Sequence, residues 1–202
     1  MFKIKKLKIL VIDETDVQWS TEISFLDNIT AIIGKNTLGK STIINSIYYV
    51  LGLEELLGYR GSKALKPALT ESIKDDFQNK YNVKFSKVYL EIENQDLEKI
   101  ELSRIGKGKN NEETNIIFTK TKDGNYKKYY LKRGSAIHEK GFYYFLENFL
   151  KIKLPEVLSY DNKKIKLYLQ NIFSEFFIEQ IGGWSDFLAC IPKYYKIKNP
   201  KQ

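Results

Sequence analysis

Nine consecutive residues carry the clearest chemistry in this chain: Gly34, Lys35, Asn36, Thr37, Leu38, Gly39, Lys40, Ser41 and Thr42. They fit G-x-x-x-x-G-K-[ST], the phosphate-binding loop or Walker A pattern. Two glycines permit a tight backbone path, and the amides at a helix start offer donors and a favourable dipole to an anion. Lys40 would reach the β- and γ-phosphates of ATP, and Ser41 would offer its hydroxyl to Mg²⁺. An apolar run from 29 to 33 precedes the loop and reads as a buried strand. Ile43, Ile44, Ile47, Tyr48 and Leu51 follow at helical spacing, with Gly52 suited to a helix C-terminus. A helix over 40 to 51 is expected.

A second acidic candidate lies upstream. Ile9 to Ile12 followed by Asp13 and Glu14 has the form of Walker B, an apolar strand ending in metal-binding and water-polarising carboxylates. It precedes the phosphate loop, whereas Walker B usually follows it. The alternative reading is a hairpin turn at 13 to 16.

The elements that must position these residues alternate between strands and helices. Residues 2 to 12 mix lysine with apolar residues and then become fully apolar, a strand entering the core. Residues 17 to 25 place Val17, Trp19, Thr21, Ile23 and Phe25 on one face of a half-exposed strand. Residues 53 to 80 read as polar, with an exposed basic loop around Arg60 and Lys63. Strands return at 83 to 93, 99 to 104, 116 to 121 and 126 to 131, the last two joined through Asp123-Gly124. Helices are expected at 139 to 150 and 162 to 174. A short buried strand at 176 to 180 would end in Gln180, and a last helix would start at Trp184.

The chain has 202 residues, enough for one domain with a large core, and a net charge of +8. Residues 103 to 134 hold nine Lys/Arg against three Asp/Glu, a balance that favours polyanionic partners. No run is long and apolar enough for a membrane span. A single cysteine, Cys190, excludes an internal disulfide framework and points to the cytoplasm.

Together the lysine-rich first strand, the phosphate loop near residue 40, the antiparallel strands after it and a late glutamine resemble the N-terminal half of an ATP-binding-cassette head of the SMC, SbcC and RecF type. Asn36 matches the family's loop, Thr37 stands where the family has glycine, and Leu38 is larger than usual. The resemblance implies an α/β P-loop NTPase fold. Its parts would be a core at 1–60, an antiparallel β insertion at 81–134 and a helical part at 135–202. It makes Gln180 the Q-loop residue that meets Mg²⁺ and the attacking water. It implies a DNA-associated ATPase of repair, chromosome maintenance or phage defence, with head-to-head dimerisation and an effector such as a nuclease. The signature, Walker B, D-loop and switch histidine of that family do not follow residue 180, and His138 precedes it. The chain is therefore expected to be half a head, incomplete and inactive without a C-terminal lobe bearing the coiled coil. Arg60, Lys63, Lys127, Lys128, Lys132 and Arg133 would face DNA. Two other readings stand beside this one. One is a self-contained P-loop NTPase or kinase using Asp13 and Glu14. The other is a nucleic-acid module with a vestigial nucleotide site, in which Tyr126, Tyr129 and Tyr130 stack bases.

Overall fold

The computed structural model describes residues 2–27, 29–35, 39–132, 134–158 and 162–176. Strand β1 (Lys3–Asp13) pairs with β2 (Gln18–Ser24) as an antiparallel hairpin. Helix α1 (Lys40–Val50) follows, then the four-residue α2 (Pro67–Thr70) and β3 (Ser72–Lys74). Four strands then form a meander: β4 (Lys80–Glu93), β5 (Lys99–Lys107), β6 (Ile116–Thr121) and β7 (Tyr126–Tyr130). Helix α3 (Phe142–Leu150), the small hairpin β8 (Glu156–Leu158) and β9 (Lys164–Lys166), and helix α4 (Leu169–Phe176) complete the described chain.

The strands of the expected insertion do not stand apart from the first hairpin. β4 pairs directly with β1, giving one sheet in the order β2-β1-β4-β5-β6-β7, with β3 added on β4. Alternation decides its two faces. Leu7, Ile9 and Val11 of β1 lie with Val88, Leu90 and Ile92 of β4 and with Ile100 and Leu102 of β5 in the core. Ile4 and Leu7 are three apart, the wrong spacing for one face of a regular strand. A β-bulge between Ile4 and Lys6 absorbs the extra residue, so that Ile4 opposes Ile92 while Leu7 opposes Leu90.

Every helix named above that meets the sheet meets this face. The ring of Tyr49 from α1 lies under Arg104 of β5. Ser86 of β4 donates to the Leu69 carbonyl of α2 at 2.6 Å. Tyr129 of β7 stacks on Phe145 of α3 with ring centroids 4.3 Å apart. Phe2 meets Phe173 of α4 edge-on.

Three expectations differ from the structure. Residues 29 to 33 form no strand, and Ile29 and Ile33 are 88% and 92% exposed. A phosphate-loop strand of the parallel type is buried by neighbours on both sides, and no described strand runs beside this segment. The helix expected from 162 starts only at Leu169, because Lys164–Lys166 pairs with Glu156–Leu158 instead. Phe176, expected to open a buried strand, ends α4 and is 71% exposed. Gln180 and the helix expected from Trp184 lie outside the described residues, as does Cys190. Among the described residues, no helix is long and apolar enough to cross a membrane.

Candidate functional site

Helix α1 begins abruptly. Gly39 has φ +82°, in the left-handed region that a side chain disfavours, and its carbonyl accepts the Ile43 amide at 3.0 Å. The start carries no side-chain cap and no acidic residue in its first turn. Among the described residues no side chain caps its first amides, which with the helix dipole suit an external anion. Lys40 reaches back over the loop. Its ammonium donates to the carbonyl oxygens of Gly34 at 2.6 Å and Lys35 at 2.8 Å. Ser41 is exposed and Thr42 half-buried at the same end. An uncapped helix start, a lysine ammonium and a serine hydroxyl form a donor set that fits a nucleoside triphosphate with its Mg²⁺. Asn36, Thr37 and Leu38 lie outside the described residues.

The far end of α1 is anchored by a buried charge network that the sequence reading did not single out. The Arg104 side chain is 0% exposed. It forms a two-pronged pair with Glu54, at 2.9 and 2.7 Å. It also donates to the carbonyls of Thr114 at 2.7 Å and Tyr49 at 2.5 Å. Its guanidinium lies 3.9 Å from the centroid of the Tyr49 ring. Tyr49 in turn donates its hydroxyl to the Ile105 carbonyl at 2.6 Å, and burial pushes its pKa up to about 12. A cation at a helix C-terminus also matches the dipole. Gly52, at φ +73°, turns the chain out of α1, and its carbonyl accepts from the Tyr143 hydroxyl at 2.5 Å. A Cβ on Gly52 would fall 2.7 Å from Leu131 Cδ2 and 2.8 Å from the Tyr143 hydroxyl, and the positive φ strains any other residue there.

Asp13 is occupied. It is fully buried, and one carboxylate oxygen accepts the Thr15 amide, the Thr15 hydroxyl and the Val17 amide at 2.8, 2.6 and 3.1 Å. The other accepts the Trp19 indole at 2.8 Å. The Thr15 hydroxyl and the Trp19 indole hold its pKa below the usual carboxylate value. Glu14 is exposed and accepts from the Asn82 amide at 3.2 Å. This is the chemistry of a turn that ties a hairpin together. Among the described residues, no three His, Cys, Asp or Glu side chains come together as a metal site.

The expected DNA-facing residues separate into groups. Arg60 and Lys132 line one cleft of about 560 Å³, together with Glu54, Asn115, Ser135 and Gln170. Lys63 is exposed on the short turn after Arg60. Lys127 and Lys128 are both exposed on the edge strand β7 but point to opposite faces of the sheet. Arg133 lies outside the described residues. His138 is exposed, with its backbone amide bonded to the Gly134 carbonyl at 3.2 Å. Of the three tyrosines, Tyr129 is taken up in packing on α3, and Tyr126 remains 66% exposed.

A family model described as an AAA domain matches residues 18–181. The chain belongs to this AAA-domain family. Such a domain is a P-loop ATPase-type unit that binds ATP, and it occurs also in SMC- and SbcC-like proteins. The matched span takes in the uncapped α1 start, the whole meander sheet and α3 of this AAA domain. No curated protein matches the chain.

Proposed function

We propose that this AAA domain is the ATP- and Mg²⁺-binding half of an SMC-like, DNA-associated ATPase, which turns over only when a C-terminal lobe completes it and heads dimerise. The observation that carries the reading is the seat at α1: Lys40 poised across the loop carbonyls, with the candidate carboxylate Asp13 already consumed by a turn. Lys40 would exchange the Gly34 and Lys35 carbonyls for the β/γ-phosphate oxygens, and Ser41 would bind the metal. Gln180 would orient water. Phosphoryl transfer also needs charge-stabilising donors and a base opposite this seat, which a C-terminal lobe would bring. The exposed Ile29 and Ile33 support such a lobe, since an apolar segment on the flank of the loop calls for cover.

Turnover tests the reading directly. The purified chain is expected to hydrolyse ATP at background rate, and a C-terminal lobe added in cis or in trans is expected to restore turnover and drive ATP-dependent dimerisation. Hydrolysis by the chain alone at about 1 s⁻¹ or more, abolished by Asp13→Asn, would instead make this a self-contained P-loop enzyme.

Duplex DNA would lie over the cleft edge at Arg60 and Lys132 and reach Lys63 on the turn that follows Arg60. Each phosphate contact releases counterions, so binding should fall steeply with salt. Replacing these three residues by glutamine should lower the slope of log K against log salt by about 2 to 3. An unchanged slope would place the duplex elsewhere.

A further inference from the structure

The sheet has a second face. Lys8, Lys87, Tyr89, Ser103, Phe118, Lys120, Tyr126 and Lys128 project from it, opposite to the residues that pack under the helices. In register, one row across the strands reads Lys8, Tyr89, Ser103, Phe118, Lys128. Tyr89 and Phe118 are two strands apart, roughly 10 Å, with the small Ser103 between them. Above that gap sits the Lys87 ammonium, 4.8 Å from the Tyr89 centroid and 5.4 Å from the Phe118 centroid. Beside it, the Lys120 ammonium lies 5.3 Å from the ring of Tyr126.

The charges on this face are unbalanced where the aromatics are. Toward one end, Lys6 holds Glu22 at 2.6 Å, and Lys99 holds Glu91 at 3.5 Å and Glu93 at 3.8 Å. Around the rings stand Lys8, Lys87, Lys120 and Lys128, with Glu101 opposite Lys120 and with Glu22, already held by Lys6, opposite Lys8 at the β2 edge. Lys87 is half-buried, and desolvation lowers its pKa against the weaker pull of Glu101. A half-buried ammonium over two rings is stabilised by the ring faces, and among the described residues no carboxylate lies within ion-pair distance of it.

We propose that this open face binds single-stranded nucleic acid, with bases stacked on Tyr89, Phe118 and Tyr126 and phosphates held by Lys8, Lys87, Lys120 and Lys128. Aromatic faces interleaved with lysines on an antiparallel sheet suit unpaired bases, whose π-faces are free, while a duplex keeps its bases stacked inside. The inference deepens the reading of a DNA-associated ATPase by adding a strand-separated substrate and a second surface, away from the Arg60 cleft. Lys87 would move from the gap to a phosphate as a base takes its place over the rings.

The test is fluorescence anisotropy of the full chain with labelled oligothymidine and oligouridine of about 15 nucleotides and with a duplex of the same length. One single strand, DNA or RNA, should bind more tightly than the duplex. The double variant Tyr89→Leu and Phe118→Leu keeps apolar cover on the sheet and should lose about tenfold or more in single-strand affinity. Its ATP-dependent thermal stabilisation and its duplex binding should be unchanged, which separates failure of this face from failure of the ATPase reading. Tyr126→Ala, at an exposed position, should weaken the same binding by at least about fivefold even where the double variant folds poorly. Photocrosslinks from 4-thiothymidine in the bound strand should map to β4, β6 and β7. Retention of single-strand affinity in both variants, equal affinity for duplex, or crosslinks confined to the helical side would overturn the proposal.

Discussion

Arg104→Met is expected to lower the unfolding free energy by about 3–5 kcal/mol, although position 104 touches neither the phosphate loop nor any surface. The guanidinium is fully buried and uses its fork on Glu54 and its other donors on the carbonyls of Tyr49 and Thr114. Methionine fills similar volume but leaves the Glu54 carboxylate buried without its counter-charge. It also leaves the Tyr49 carbonyl, at the end of α1, without its donor. A buried charge stripped of its partner is far more costly than the net gain of the pair itself. Glu54→Leu alone should be similarly destabilising, while the double variant should lose clearly less than the two single losses together, because it leaves no orphan charge. Arg104→Lys should rescue little, since one ammonium cannot reproduce the planar fork. Urea unfolding of the wild type and the four variants measures these losses. A loss below about 1 kcal/mol for Arg104→Met would show that the network does not hold the end of α1 in place.

The network matters to the site because α1 is a rigid rod between them. Its N-terminus presents the loop and Lys40; its C-terminus is fixed to β5 by Arg104 and Tyr49 and to α3 through the Tyr143 hydroxyl. Asn45 adds a side tie, donating to the Ala64 carbonyl at 2.9 Å. The sheet therefore positions the phosphate seat through the helix that it carries.

Local signals in the sequence were strong where a short stretch is self-sufficient. The loop motif, the 40–51 helix and the 116–130 hairpin each rest on residues close in sequence. In that hairpin, Gly124 takes φ +80° and donates its amide to the Thr121 carbonyl. Pairing between distant strands left no such mark. Nothing local announces that β4 would lie against β1, which joins the meander to the first hairpin. Arg104 illustrates the same limit in another form. Its place in the alternation Ile100, Leu102, Arg104 marks an inward position, but its partner Glu54 is 50 residues away. Ile29 to Ile33 misled in the opposite sense: an apolar run reads as a buried strand only if something else buries it. Asp13 likewise has the sequence form of a metal-binding carboxylate, and the hydrogen bonds of its own hairpin decide otherwise.

On the proposed reading, ATP binds at the start of α1 and Lys40 is the charge that holds it. A ligand that binds only the folded protein raises its stability with concentration. At about a hundredfold excess over Kd, ATP with Mg²⁺ should raise the melting temperature of a chain this size by roughly 5–10 °C. In Lys40→Ala the fold has little to lose, since among the described residues the Lys40 ammonium bonds to the exposed loop carbonyls of Gly34 and Lys35 alone. Its melting temperature without nucleotide should match the wild type, and ATP should raise it by no more than about 2 °C. Thermal unfolding of the two proteins across an ATP titration is the most direct measurement. Collapse of the shift in Lys40→Ala is the expected result. An equal shift in both proteins would contradict the account and move the nucleotide away from α1.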